Sequence, residues 1–163
     1  MVWLAIAVEL AAGPTRTGSP ATLDSSILTI AGPREPGTKL IVTGHVLTRD
    51  GKRPVPGARV GVYHADASGT YGARGGMARL SGWLLTDAAG RFEIRTVRPG
   101  AYLGPSHIHF IVGGFGTYEL RFADERLSRM GRQSPVAGTG VQVRPVRKDA
   151  KGVHHVAIDW RLP

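Results

Sequence analysis

The chain has no cysteine among its 163 residues. Disulfide staples, thiolate-held zinc and iron–sulfur clusters are therefore excluded, and any metal must be held by His, Tyr, Asp or Glu. The absence does not fix a compartment, because secreted domains also occur without disulfides. No apolar run is long enough to span a membrane. Long helical periodicity is missing too, since 23 glycines and 11 prolines cut the chain into short pieces. No Gly-x-Ser-x-Gly, His-Glu-x-x-His, Walker pattern or phosphate-cradling loop is present. Acidic residues are scarce beside basic ones, 12 against 21, for a net charge of +9. The basic residues are dispersed, and the densest run, from Arg144 to Lys151, is short and contains Asp149. That spacing speaks against nucleic acid as a partner, which would call for clustered Lys and Arg interleaved with aromatics. A solvated basic surface is the plainer reading, and attraction of an anionic substrate the sharper one.

What is present is a series of short alternating segments. Residues 39–48, 58–65, 80–86, 91–97, 107–112, 117–122, 141–146 and 153–162 read as strands, with turns at Arg49–Lys52, Asp87–Gly90 and Gly113–Gly114. About eight short strands at regular spacing predict an all-β fold, an antiparallel β-sandwich with little helix. Asp124 to Met130 is the one stretch with helical character. The organisation is an N-terminal arm over 1–38, partly disordered or wrapping, and one β-sandwich domain over 39–163. The apolar stretch Val2–Val8 is interrupted by Glu9 and lacks a positive leading region, so it makes a poor signal peptide and leans the chain toward the cytoplasm. Homo-oligomer formation is left open.

Residues His107-Ile108-His109-Phe110 carry the strongest chemical signal. In a strand, His107 and His109 point to one face and Ile108 and Phe110 to the other, so two imidazoles stand side by side over a buried anchor. Imidazole suits zinc, copper, iron and nickel, so the pair does not choose its metal. Tyrosine is a further candidate ligand as phenolate, and a trivalent cation favours that form. Of the four tyrosines, Tyr71 and Tyr102 sit in turn-rich segments, where functional side chains are often presented. Spacing alone does not separate them from packing tyrosines.

The order of these residues resembles the intradiol ring-cleavage dioxygenases, a family that includes catechol, protocatechuate and hydroxyquinol dioxygenases. The resemblance runs over residues 40–123. It is carried by Gly44-His45-Val46, by Asp50 through Tyr71 with Pro54-Val55-Pro56-Gly57-Ala58, by Gly82-Trp83 through Thr86-Asp87 with Gly90-Arg91-Phe92, and by Arg98-Pro99-Gly100-Ala101-Tyr102 followed by His107-Ile108-His109-Phe110. The strand-turn-strand parts also occur in non-enzymatic prealbumin-like modules; the two tyrosines with His-x-His-Phe are more specific. The resemblance implies a compact prealbumin-like sandwich holding a mononuclear Fe(III) through Tyr71, Tyr102, His107 and His109, with Tyr102 and His107 axial and Tyr71 and His109 equatorial. It implies insertion of O2 between the two hydroxyl-bearing carbons of a catechol-type substrate, giving a muconate-type diacid. Tyr102 and Tyr71 would be the catalytic residues, Tyr102 as a proton acceptor when substrate binds.

Three departures from the family pattern stand out. Gly104 occupies the place of an arginine three residues before the first histidine, in a loop one residue shorter than in compact members. Ser81 stands where an arginine precedes a glycine, and Glu119 where the family has glutamine. Arg74, Arg79 and Arg98 are candidates to replace the missing cation, and the alternation Glu119-Leu120-Arg121 predicts a solvent face for both charges. These departures keep a second reading in view, a catalytically impaired or non-enzymatic binding module. A third is a zinc or copper site on His107 and His109. His64 reads as a packing or supporting residue, His45 as structural, and the adjacent His154 and His155 as facing opposite ways.

Overall fold

A computed structural model of the protein describes residues 25–72, 78–102, 104–125 and 140–163. Ten strands are seen among these residues: β1 Ile27–Thr29, β2 Lys39–Leu47, β3 Arg59–His64, β4 Leu80–Leu85, β5 Arg91–Val97, β6 His107–Val112, β7 Phe115–Phe122, β8 Val141–Arg144, β9 Arg147–Lys148 and β10 His154–Arg161. They form two five-stranded sheets, in the orders β1-β5-β2-β10-β9 and β4-β3-β6-β7-β8. No helix occurs among the described residues. The all-β sandwich expected from the sequence is thus what is found, with two short edge strands, β1 and β9, beyond the eight.

Alternation explains the two layers. In β2 the buried positions are Leu40, Val42, Gly44 and Val46, in β6 Ile108, Phe110 and Val112, and in β10 Val156, Ile158 and Trp160. These inner faces meet in one core, where Phe110 and Tyr118 pack against Trp160 with ring centroids 5.1 and 5.3 Å away. The expected turns form: Asp87 Oδ1 accepts the amides of Ala89 and Arg91, both at 2.8 Å, and Gly90 takes φ +70°. Gly113 and Gly114 both have positive φ, 64° and 80°, which suits the tight β6–β7 hairpin.

The sheets are mixed, and this corrects the wholly antiparallel expectation. β1 runs parallel to β5, β10 to β2, and β8 to β7. Adjacent segments in sequence pair antiparallel across short turns, but these three strands reach their neighbours through long connections, whose direction alternation does not encode. β1 lies inside the segment set apart as an arm; Leu28 and Ala31 are buried, and residues 25–31 close one side of the sandwich. Residues 1–24, and 126–130 of the helical stretch, lie outside the described residues.

Candidate metal centre

The site lies on the face of the second sheet that points away from the core. Because Ile108 and Phe110 are fully buried, His107 and His109 are turned outward together. Their Nε2 atoms converge to 3.0 Å, with the rings at 87°. His107 Nδ1 lies 3.0 Å from the Pro105 carbonyl, which can only accept, so Nδ1 carries a proton and Nε2 is the atom turned into the site. Tyr63 from β3 stacks on the His109 ring at 4.6 Å and 16°. Burial, and then the neighbouring His107, lower the pKa of His109, so its imidazole is neutral at pH 7.

Two loops bring the tyrosines over this face. Tyr71 Oη lies 3.4 Å from His107 Nε2, and the Tyr71 ring meets Tyr102 edge-on at 5.3 Å. Tyr102 is the outermost member, 48% exposed. The loops interlock through glycines: a Cβ on Gly69 would lie 2.2 Å from the Ala101 carbonyl oxygen, and one on Gly100 2.5 Å from that of Ala67. The Gly100 amide donates to the Asp66 carbonyl at 2.8 Å. Asp66 shapes the first loop with its side chain as well, accepting the Ser68 hydroxyl at 2.6 Å and the Ser68 and Thr70 amides at 3.0 Å. These bonds, the Ser68 hydroxyl foremost, hold the Asp66 carboxyl down to about 2.

The arginines named as replacements for the missing cation are otherwise engaged. Arg79 forms a two-pronged pair with Glu35 at 2.7 and 2.8 Å and reaches Asp66 at 3.2 Å. Arg98 pairs with both oxygens of Asp124 at 2.6 and 2.7 Å and with Glu125 at 2.8 Å. Glu125 in turn accepts the Ser106 amide at 2.9 Å and the Ser106 hydroxyl, which fixes the chain just before His107. Both arginines therefore brace the loops; Arg74 lies outside the described residues. Gly104 takes φ +144°, a backbone conformation that L side chains rarely adopt, so an arginine placed there would be strained.

The expectation of a solvent face for Glu119 and Arg121 is overturned. Their register places Glu119 opposite His109 and Arg121 opposite His107, and their side chains are only 23% and 14% exposed. Alternation had correctly turned them from the core, but that outer face also carries His107, His109 and Tyr71, with Glu119 close enough to act on the Tyr71 hydroxyl. Tyr63, Glu119 and Arg121 are thus members of the site that spacing alone did not reveal; strand register is the signal that finds them. The remaining histidines stay apart from it: His64 is buried against Thr96, His45 pairs with Asp159 and His155 with Asp149.

The donor set fits a hard trivalent cation: two imidazole Nε2 atoms converge to 3.0 Å, and a phenol oxygen lies beside them. Burial, together with Tyr63, Glu119 and Tyr102 nearby, raises the Tyr71 pKa, so Tyr71 is a neutral phenol unless a cation compensates. The dioxygenase family model matches residues 12–123, a span that ends within this same site. The chain belongs to the intradiol ring-cleaving dioxygenase family. Within that family it is 38% identical over 98 residues to the protocatechuate 3,4-dioxygenase beta chain of Burkholderia cepacia, covering 50% of this chain and 40% of that one. It is 33% identical over 113 residues to catechol 1,2-dioxygenase 1 of Acinetobacter lwoffii, covering 54% of this chain and 36% of that one. The chain thus spans about two fifths of the length of these curated relatives. Among solved structures, the dioxygenase domain of a dioxygenase carbohydrate-binding protein fusion from the cellulolytic bacterium Streptomyces sp. SirexAA-E superposes with a TM-score of 0.65 at 26% identity, covering 91% of this chain and 96% of that one.

Proposed function

We propose that the protein is an Fe(III)-dependent intradiol dioxygenase that inserts O2 between the two hydroxyl-bearing carbons of a catechol-type aromatic, giving a muconate-type diacid. The observation that supports this most is the convergence of Tyr71, His107 and His109 at contact distances of 3.4 and 3.0 Å in a chain of this family. Tyr71, Tyr102, His107 and His109 would hold the ferric ion. The ion, when bound, supplies the Lewis acidity that takes up both catechol oxygens and activates the ring toward O2.

The chain's own residues set the conditions for that chemistry. His107 and His109 present their Nε2 atoms from a strand anchored by Ile108 and Phe110. Tyr71 is held by its interlocked loop against His107. Tyr102, the exposed member, would have room to swing away, and its phenolate oxygen would be the base that accepts a proton from the incoming catechol. Tyr63 walls one side of His109 and keeps water from that flank.

Visible absorption of the iron-loaded protein tests this reading. A tyrosinate-to-iron band giving a wine-red colour is expected, shifted or lost in Tyr71→Phe and in Tyr102→Phe, together with oxygen uptake on catechol, protocatechuate or hydroxyquinol. A colourless, iron-free protein after expression with ample iron would sink it. Gly104, in a conformation that disfavours the arginine of the family pattern, supports a second reading, a fold-retaining module without the reaction. That reading expects no oxygen uptake with any of the three substrates, even from coloured protein.

A further inference from the structure

His107 and His109 are not supported alike. Behind His107 stands a backbone carbonyl, 3.0 Å from Nδ1. Behind His109 stands nothing within hydrogen-bond range: its Nδ1 is buried and without a partner. A buried imidazole N–H without an acceptor is a costly arrangement, and a metal-binding histidine nearly always donates from its second nitrogen. A carboxylate stands just beyond that range. Glu119 Oε1 lies 4.0 Å from His109 Nδ1, while Oε2 accepts from Arg121 Nε and Nη2 at 3.0 and 2.8 Å. Arg121 thus grips one oxygen and leaves the other facing the histidine. Tyr63, stacked on the ring, keeps Nε2 directed at His107 and Nδ1 toward Glu119.

We propose that Glu119 is the positioning residue for His109, accepting its Nδ1–H, with Arg121 anchoring the carboxylate. A movement of roughly 1 Å brings Oε1 from its present distance into hydrogen-bond range, an easy adjustment for a glutamate side chain. The consequence is specific to a carboxylate. A glutamine, as the family pattern has at this place, can turn either an acceptor or a donor to the ring, whereas a glutamate can only accept. Glu119 therefore commits His109 to the tautomer whose Nε2 carries the lone pair. It also presses negative charge onto the imidazole, which makes Nε2 a stronger donor and favours the ferric over the ferrous ion. Direct ligation by Glu119 is the competing role, since His107, His109 and Glu119 offer ligand atoms within 4.8 Å of one another. The geometry favours support over ligation, because Oε2 is engaged by Arg121 and Oε1 faces the His109 nitrogen turned from His107.

This role rests on the iron reading above, but its first test needs no iron. Nitrogen-15 spectra of the metal-free protein at pH 8 report the His109 tautomer. Wild type should show the Nδ1–H form, and Glu119→Leu a mixture with the Nε2–H form, whose proton is donated to His107 Nε2 across the 3.0 Å contact, with folding of both checked by the dispersed amide spectrum. In the iron-loaded protein, Glu119→Leu should bind iron about 10–100-fold more weakly. Glu119→Gln should bind nearly as well as wild type but with a raised Fe(III)/Fe(II) potential. Equal tautomer populations in wild type and Glu119→Leu would overturn the proposal, as would an unchanged potential in Glu119→Gln. So would a metal-bound carboxylate infrared band in wild type that Glu119→Gln removes, which would make Glu119 a ligand. A wild type that shows the Nδ1–H form yet binds no iron defeats the iron reading alone.

Discussion

His64 has no exposed surface, and its protonation is therefore unfavourable in the folded state. Its Nδ1–H donates to the Ala65 carbonyl at 2.6 Å, and its Nε2 accepts from the Thr96 hydroxyl at 2.8 Å, so the neutral ring is fully satisfied. Burial lowers its pKa from 6.5 to about 4. The unfolded chain thus binds a proton below pH 6.5 that the folded chain refuses until about pH 4. Stability from this residue is complete above the unfolded value and is lost as pH falls between the two, by about 3 kcal/mol in total. Asp66, held down to about 2, loses its contribution only below its ordinary value of 3.8, so the two windows hardly overlap. Denaturant unfolding of the metal-free protein at pH 7 and pH 4.5 should show wild type losing on the order of 2–3 kcal/mol more than His64→Phe. An equal loss in both would place the acid sensitivity elsewhere. The sequence marked His64 as a packing or supporting residue; its tautomer needed Thr96, which lies on the other sheet and is invisible to spacing.

The interlocked loops act as one element, although β4 and β5 lie between them in sequence. Gly100→Ala places a methyl 2.5 Å from the Ala67 oxygen and 2.6 Å from the Gly69 nitrogen, both backbone atoms, so the loops must separate. The overpacking should cost about 1–3 kcal/mol, and the tyrosines should move off the histidines. The expected outcome is a protein that keeps its strand content but loses most of its tyrosinate-to-iron absorbance, measured by iron titration beside circular dichroism. Undiminished colour would show that the loops position the tyrosines independently. Much at this scale was readable: strands β2 to β7, their turns and the paired orientation of His107 and His109 all follow from period-two alternation. What alternation leaves out is the partner of each strand. It turned Glu119 and Arg121 from the core correctly, yet only the β6–β7 register and the loops above them make that face the lining of a site. It likewise left Arg79 and Arg98 eligible for the pocket until Glu35, Asp124 and Glu125 were seen to hold them.

The whole molecule depends on a strand that lies beyond the stretch matched by the family model. That match ends at residue 123, and all the proposed ligands fall inside it. β10, however, spans His154–Arg161 and is inserted between β2 and β9, paired in parallel with β2 along its full length. It carries Val156, Ile158 and Trp160, each no more than 2% exposed, into the core between the sheets. A chain ending at residue 123 would expose β2 as an open edge and lose all three side chains. At about 1.5–3 kcal/mol for each, the loss is of the same order as the whole stability of a domain. Such a fragment should therefore be unfolded despite possessing every proposed iron ligand. It should show a collapsed amide spectrum and no iron colour, while a chain ending at residue 163 shows both dispersion and colour. A fragment that ends at residue 123 and still folds and colours would mean that the second sheet and its loops form a site without the first. That would contradict a core in which Phe110, beneath the histidines, packs 5.1 Å from Trp160.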